Sequence, residues 1–269
     1  MYDHIARFYD ITHAGLTDDL PFVLQLAAAA NGEILELGCG SGRLLLPLAQ
    51  AGHRITGIDN SHAMLSRARA RLAQEPETVQ QRVTLIQADM ASFVVENACA
   101  ESRSPEHSRR GSRSGRFSLT IIPYNTFLHL NHNQAVATLK QIRRHLAQGG
   151  TLFIDLINPF AIADTPDNPA FIFEGKFTDP ATDETILQFA ANRLDETAQT
   201  LHITWAYDVA KPDGRSTQRT IVESAYHYRF PHQLDLLLQQ TGFKLTAIYG
   251  DYDHTPFTES SDRLLLIAN

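Results

Sequence analysis

The run ELGCGSG, Glu36 to Gly42, sets one carboxylate ahead of three glycines at alternate positions. Glycine tolerates backbone conformations closed to other residues, so such a loop can turn tightly and bring its N–H groups against a ligand. Asp59 follows at the end of TGID, roughly 20 residues on, the interval at which a carboxylate can bind ribose hydroxyls. A third acidic position, Asp89 in QADM, follows the next apolar run, with Met90 beside it.

These residues need strands to hold them. Glu33 to Gly38 reads as a short apolar strand, and Ser41 to Ala51 as a helix closed by Gly52. Arg54 to Ile58 is a second strand, and Ser61 to Leu72 a helix with Ser61 as N-cap. Val83 to Ala88, Ser118 to Ile122 and Thr151 to Leu156 complete five strands, with a helix over Asn133 to Leu146 stopped by Gly149-Gly150. Leu16 to Ala30 precedes them as a further helix. Strands alternating with helices over short links predict a parallel sheet covered on both faces, with ligands at the carboxyl ends of its strands.

Two segments break the rhythm. Residues 97–116, around ESRSPEHSRRGSRSGR, have almost no apolar content and read as a disordered surface loop. Phe171 to Tyr228 carries strand-like runs (FIFEGKF, TILQFAANRL, LHITWAYDV, RTIVESAYHYRF) separated by turn residues at Asp179-Pro180, Asp195-Glu196 and Pro212-Asp213-Gly214. Leu201, Ile203 and Trp205 alternate with His202 and Thr204, so one face of this antiparallel meander needs cover, from its own core or from a second copy of the chain. Pro231 to Thr241 is a closing helix, and Phe243 to Tyr249 and Arg263 to Ala268 are the last strands. The expected organisation is a core of residues 1–160 and 229–269 with an inserted β subdomain at 165–228.

Composition bounds the chemistry. The 269 residues carry 23 Lys and Arg against 30 Asp and Glu, a net charge of -7, which argues against nucleic acid as a partner because backbone binding needs a basic face. The two cysteines, Cys39 and Cys99, make neither a metal spacing nor a disulfide framework. The start MYDHIARFYD lacks the basic and apolar regions of a signal peptide, and no apolar run approaches the about 20 residues that span a bilayer. The chain reads as soluble and cytoplasmic.

The glycine loop, with Asp59 and Asp89-Met90, resembles the class I S-adenosylmethionine (SAM)-dependent methyltransferases. Glu36, Gly38, Gly40 and Gly42 match the family's E/D-x-G-x-G-x-G. The resemblance implies a Rossmann-like, doubly wound seven-stranded α/β sheet whose last strand is antiparallel, with SAM as cofactor. It implies cofactor contacts from Tyr9, Glu36, Gly38, Cys39, Gly40, Gly42, Asp59, Asn60, Met64, Asp89, Met90 and Pro123. Within that set Asp59 would hold the ribose, Asp89 and Met90 would meet adenine, and Cys39 reads as a small packing residue. HIARFYD looks like the family's N-terminal lid, and PYNTFLHL, Pro123 to Leu130, like the segment that separates cofactor from substrate. The insertion resembles that of small-molecule N-methyltransferases.

A nicotinamide-binding fold is the competing reading. Its G-x-G-x-x-G needs a third glycine where this chain has Arg43. Asn125, Asp155 and Asn158 lie near positions that bind Mg²⁺ in catechol-type methyltransferases, but Pro123-Tyr124 replaces an acid there, so loop and helix-cap roles are expected and no metal. The segment Ile122 to Asn125 also fails to match the proline-rich motif of enzymes that methylate DNA bases.

On the substrate side, His129 could take a proton or position an amine, and Tyr124 is the second catalytic candidate. Tyr9, Tyr124, Glu223, Tyr226 and Tyr228 could line an amine pocket, since aromatic faces attract cations. The expected activity is methyl transfer to a small-molecule acceptor, at an amine nitrogen, set against two alternatives: an RNA-modifying methyltransferase using the Arg-rich loop, and a SAM-binding protein without catalysis.

Overall fold

The computed structural model describes residues 1–95, 116–211 and 217–269. The Arg/Ser-rich segment, apart from Arg116, and the turn expected at Pro212-Asp213-Gly214 lie outside the described residues. The chain opens with α1 (Tyr2–Thr12) and α2 (Leu20–Ala29), then β1 (Glu33–Leu37), α3 (Leu45–Gln50), β2 (Ile55–Asp59), α4 (His62–Leu72), α5 (Glu77–Gln80) and β3 (Val83–Gln87). After β4 (Phe117–Ile122) come a 3-10 turn (Thr126–His129), α6 (His132–His145), β5 (Leu146–Ile157) and α7 (Pro159–Ala163). Four long strands follow, β6 (Asn168–Thr178), β7 (Thr185–Asp195), β8 (Thr200–Ala210) and β9 (Thr217–His227), then α8 (Pro231–Gln240), β10 (Leu245–Tyr249) and β11 (Arg263–Ala268).

The main sheet has seven strands in the order β10-β11-β5-β4-β1-β2-β3. β11 runs antiparallel to both of its neighbours, and the pairs from β5 across to β3 are parallel. The strand order reverses direction at β1, where β4 lies on one side and β2 on the other. In such sheets that crevice, beyond the carboxyl ends of the strands, is where ligands bind.

Strand periodicity sorts the core into two layers. Leu35 and Leu37 of β1, Leu152, Ile154 and Leu156 of β5, and Leu264 and Leu266 of β11 pack on one face with α6 and α8. Their alternates Ile34, Phe153 and Leu265 pack on the other face with α2, α3 and Leu65 of α4. Both faces are dry, which is why these strands read as apolar runs.

Three local expectations are corrected. The helix expected over Ser41 to Ala51 begins only at Leu45, because Gly40 and Gly42 hold φ of 54° and 88° and keep the loop out of helical geometry. The helix expected over Leu16 to Ala30 is confined to Leu20–Ala29, with Pro21 in its first turn. The helix α6 stops at His145, and β5 starts at Leu146 rather than Thr151, pairing with Phe117 before a register shift brings Thr151 against Leu119. An N-terminal helix was not expected at all.

The second sheet is antiparallel in the order β6-β7-β8-β9. Its inner face follows the alternation of β8. Leu201 and Ile203 join the main core, and Trp205, Tyr207 and Val209 pack on Ile5, Phe8 and Ile11 of α1. The helix α1 therefore lies between the two sheets. Polar side chains pin it at both ends. Asp3 accepts from the Ser61 hydroxyl at 2.7 Å and the Ala63 N–H at 2.9 Å, at the start of α4. Asp10 pairs with Ser41, Arg67 and Arg71. Arg7 reaches the other way, to Asp179 at 2.5 Å and Glu184 at 2.6 Å on the β6–β7 turn.

Candidate active site

A cavity of about 420 Å³ opens at the carboxyl ends of β1, β2 and β3 and runs under α1, a size suited to a small ligand or cofactor. Its floor is the glycine loop. Gly38 holds φ of 72°, and a Cβ there would lie 2.4 Å from Thr126 Cγ2, so this glycine lets the loop meet the segment after β4. Among the described residues, a Cβ at Gly40 would meet nothing beyond its chain neighbours within 4 Å; the space above that backbone is open.

Asp59, at the end of β2, ties the floor together. One carboxylate oxygen accepts from the Gly40 N–H at 2.9 Å and the other from the Ser61 N–H at 2.8 Å. Burial raises its pKa while those two N–H groups oppose the rise. Asn60, Met64, Asp89 and Met90 continue the same wall. The Asp89 side chain accepts from the Ala91 N–H at 2.8 Å.

The other end of the cavity is aromatic. Tyr2 and Tyr9 of α1, Tyr124, and His129 of the 3-10 turn line it, with Thr126, Leu130 and Gln134. The Tyr2 and Tyr9 rings meet edge to face at 5.6 Å, and Tyr9 stacks on His13 at 4.0 Å. His129 has both ring nitrogens engaged: Nε2 lies 2.9 Å from the Tyr2 hydroxyl and Nδ1 3.3 Å from the Ser224 hydroxyl of β9. Burial lowers its pKa to about 4, so the ring is neutral near pH 7. Burial raises the pKa of Tyr2, Tyr9 and Tyr124, which keeps these phenols protonated.

Tyr124 stands on a strained turn, with φ of 39°, and Asn125 follows at 66°. Non-glycine residues in this region need support from their surroundings. Buried Asp155 supplies it. Its carboxylate accepts from the Tyr124 N–H at 3.1 Å and its carbonyl from the Asn125 N–H at 2.9 Å. The same carboxylate accepts from the Tyr252 hydroxyl at 2.9 Å and pairs with Arg263, whose guanidinium lies 5.0 Å from the Tyr124 ring centre. The Asn125 side chain accepts from the Ile157 N–H at 2.6 Å. Asn158 caps α7 through the Phe160 N–H at 3.0 Å. All three polar residues near the possible cation position are thus committed to loop and cap geometry.

Of the residues singled out in the sequence, Tyr9, Gly38, Gly40, Asp59, Asn60, Met64, Asp89, Met90, Tyr124 and His129 come together around the cavity. Glu36, Cys39, Gly42 and Pro123 do not reach its wall. Glu36 is buried on the α2–α3 side of β1, where burial pushes its pKa up to about 8 despite nearby Arg43, and its Oε2 finds no hydrogen-bond partner among the described residues. Cys39 is buried against β2, where a Cβ on Gly57 would lie 2.8 Å from its sulfur. A Cβ on Gly42 would face Leu46 and Ala68, and Pro123 is buried under the turn.

Two expected pocket residues lie elsewhere. Glu223 is exposed on the outer face of β9, and Tyr228 is buried against Phe230 in the main core. Tyr226 does approach the site, its ring 5.1 Å from His129. The sequence reading missed Tyr2, Asp3, Ser61 and Gln134. The last had a local signal: Asn131 and Gln134 form a reciprocal capping box at the start of α6, both hydrogen bonds being 3.0 Å.

A family profile described as a methyltransferase domain matches residues 35–152, the part that contains the glycine loop, Asp59 and Asp89. The chain is a class I SAM-dependent methyltransferase. It is 26% identical to YqeM of Bacillus subtilis (strain 168), which carries a methyltransferase name, over 100% of this chain and 96% of that one. It is 21% identical to the cypemycin N-terminal methyltransferase of a Streptomyces species over 99% of this chain and 96% of that one. Among solved structures it is similar to the CcbJ methyltransferase of Streptomyces caelestis, with a TM-score of 0.76, 25% identity and coverage of 99% and 96%. Among the described residues no helix is long and apolar enough to cross a membrane.

Proposed function

We propose that this enzyme methylates an amine nitrogen of a small molecule, with the adenosyl part of SAM between the glycine loop and Asp59 and the acceptor at the aromatic end. The observation that carries this reading is the single cavity that joins the Gly38–Gly40 floor and Asp59 to Tyr2, Tyr9, Tyr124 and His129. The open space over Gly40 and the carboxylate held at the end of β2 fit the cofactor's ribose. Asp89 and Met90 extend that wall toward the adenine position. Residues 1–160 and 229–269 then form the cofactor-binding unit, and 165–228 acts on the acceptor end indirectly, through Ser224 and Tyr226 against His129.

The cofactor supplies a methyl group already activated on a sulfonium. The protein's part is to align the acceptor and exclude water, effects that can contribute ~7–11 kcal/mol in favourable cases. Tyr9 and Tyr124 would form the walls that orient the acceptor. Aromatic faces suit the positive charge that grows on nitrogen, and the relation to an N-terminal methyltransferase supports nitrogen over oxygen. Neutral His129 fits a positioning role, since its nitrogens are already engaged. The test is a turnover screen with SAM against matched libraries of amines and alcohols. Methylation of amines is expected; turnover confined to alcohols or carbon acids would reject the reading.

A further inference from the structure

We propose that Tyr2 contacts the acceptor: its phenolic oxygen receives a hydrogen bond from the nitrogen being methylated, and His129 and Ser224 fix it in that role. This rests on the amine reading above and adds which residue meets the nitrogen and which amines qualify.

The argument begins with a choice of tautomer. His129 is neutral, so one ring nitrogen carries a hydrogen and the other accepts. Nε2 faces the Tyr2 hydroxyl at 2.9 Å and Nδ1 the Ser224 hydroxyl at 3.3 Å. A phenol is a far stronger acid than an alcohol, so the better arrangement has Tyr2 O–H donating to Nε2 and Nδ1–H donating to Ser224 Oγ. The Tyr2 proton is then committed. Toward the cavity, which Tyr2 lines, its oxygen offers only lone pairs. It can accept a hydrogen bond and cannot donate one.

The neighbouring rings hold this geometry. Tyr2 meets His129 edge to face at 5.6 Å and Tyr9 at 5.6 Å, and Tyr226 closes the far side of His129 at 5.1 Å. Asp3, the next residue, anchors the start of α1 on Ser61 and Ala63. The oxygen is therefore preorganised, and it needs no reorientation during reaction.

The chemistry favours an acceptor that carries hydrogen. As methylation proceeds, the nitrogen lone pair forms the new bond to carbon, the carbon–sulfur pair leaves with sulfur, and the N–H hydrogens stay on what becomes an ammonium. An N–H bond grows more acidic as that charge develops. A hydrogen bond to the Tyr2 oxygen is thus stronger in the transition state than in the ground state, which is the condition for accelerating the step. The ammonium loses its proton to solvent afterwards. Primary and secondary amines satisfy this contact; tertiary amines have no hydrogen to give.

Two measurements test it. In ¹⁵N-histidine NMR of the full chain, His129 is expected in the Nδ1–H tautomer, and Tyr2→Phe should shift its Nε2 signal; an Nε2–H tautomer would overturn the assignment. In turnover with benzylamine, N-methylbenzylamine and N,N-dimethylbenzylamine, wild type should disfavour the tertiary amine by about tenfold or more, the scale of one hydrogen bond to a charged group. Tyr2→Phe should lower kcat for the first two to the level of the third, while calorimetry shows affinity for the demethylated cofactor, S-adenosylhomocysteine, within about threefold, as expected for a group that acts on the acceptor alone. Undiminished turnover in Tyr2→Phe, or no preference among the amines, rejects the role of Tyr2 alone. Cofactor binding with no turnover of any amine rejects the amine reading and this inference with it.

Discussion

The N–H of Tyr124 donates to the carboxylate of Asp155 at 3.1 Å, and this bond holds the left-handed turn that separates the cavity from Arg263 and Tyr252. A carboxylate buried inside β5 is thereby spent on the shape of a loop 31 positions away in sequence.

Removing that carboxylate should destabilise the fold. Asp155 is fully buried and the Arg263 side chain is 13% exposed, so Asp155→Ala leaves a buried cation without its partner, a loss of about 3–5 kcal/mol. Denaturant unfolding of Asp155→Ala and of the double variant with Arg263→Met checks this. The double variant should recover part of the loss; an Asp155→Ala stability equal to wild type would show that the pair carries no structural load.

Asp59→Ala should weaken S-adenosylhomocysteine binding by about tenfold or more, since ribose hydroxyls left poorly paired lose ~1–3 kcal/mol. Isothermal calorimetry reads it directly, and a smaller loss would assign Asp59 to ordering the glycine loop alone.

Gly40→Ala separates the fold from the ligand space. The left-handed φ of 54° strains any side chain there, by roughly 1–2 kcal/mol, but among the described residues nothing beyond its chain neighbours lies within 4 Å of the new Cβ. The variant should fold with a modestly lowered Tm and lose cofactor affinity far more than stability. Unchanged affinity would move the ligand away from this floor.

Two buried groups tilt stability with pH in opposite senses. Glu36 keeps its proton in the fold up to about pH 8, above its ordinary value of 4.5. Between these values the folded state binds more protons than the unfolded, so this contribution is full below pH 4.5 and lost as pH rises toward 8. Glu36→Gln should be flatter than wild type in Tm from pH 5 to 8. His129 titrates at about 4 against an ordinary 6.5. The unfolded state binds more protons between these values, so its contribution is lost as pH falls from 6.5 to 4. His129→Gln should lessen the acid-side decline. Parallel Tm–pH curves for either variant and wild type would refute the corresponding shift.

The glycine loop and the acid at the end of β2 were legible because both are local: each follows an apolar strand directly and is spaced by one strand–helix unit. The same holds for Asp89 and Met90. Tyr2 was not legible, because its partner His129 is 127 positions away and only the fold joins them. Glu223 and Tyr226 were read as sharing a pocket, yet strand alternation puts odd and even positions of β9 on opposite faces. Ser224 and Tyr226 point inward with buried Val222, and Glu223 points out. Tyr228 keeps the inward parity but lies past the end of β9, where the chain turns toward α8 and the main core.

His129 also bears on how acceptor choice could be re-engineered. Its ring is touched by Tyr2 of α1 and by Ser224 and Tyr226 of β9, while His129 itself sits after β4. A chimaera that grafts residues 165–228 from another enzyme would bring a foreign pair at 224 and 226 to an imidazole chosen for the old one. Such grafts should be inherited as matched sets, with the first turn of α1 and the Thr126–His129 turn transplanted alongside the strands.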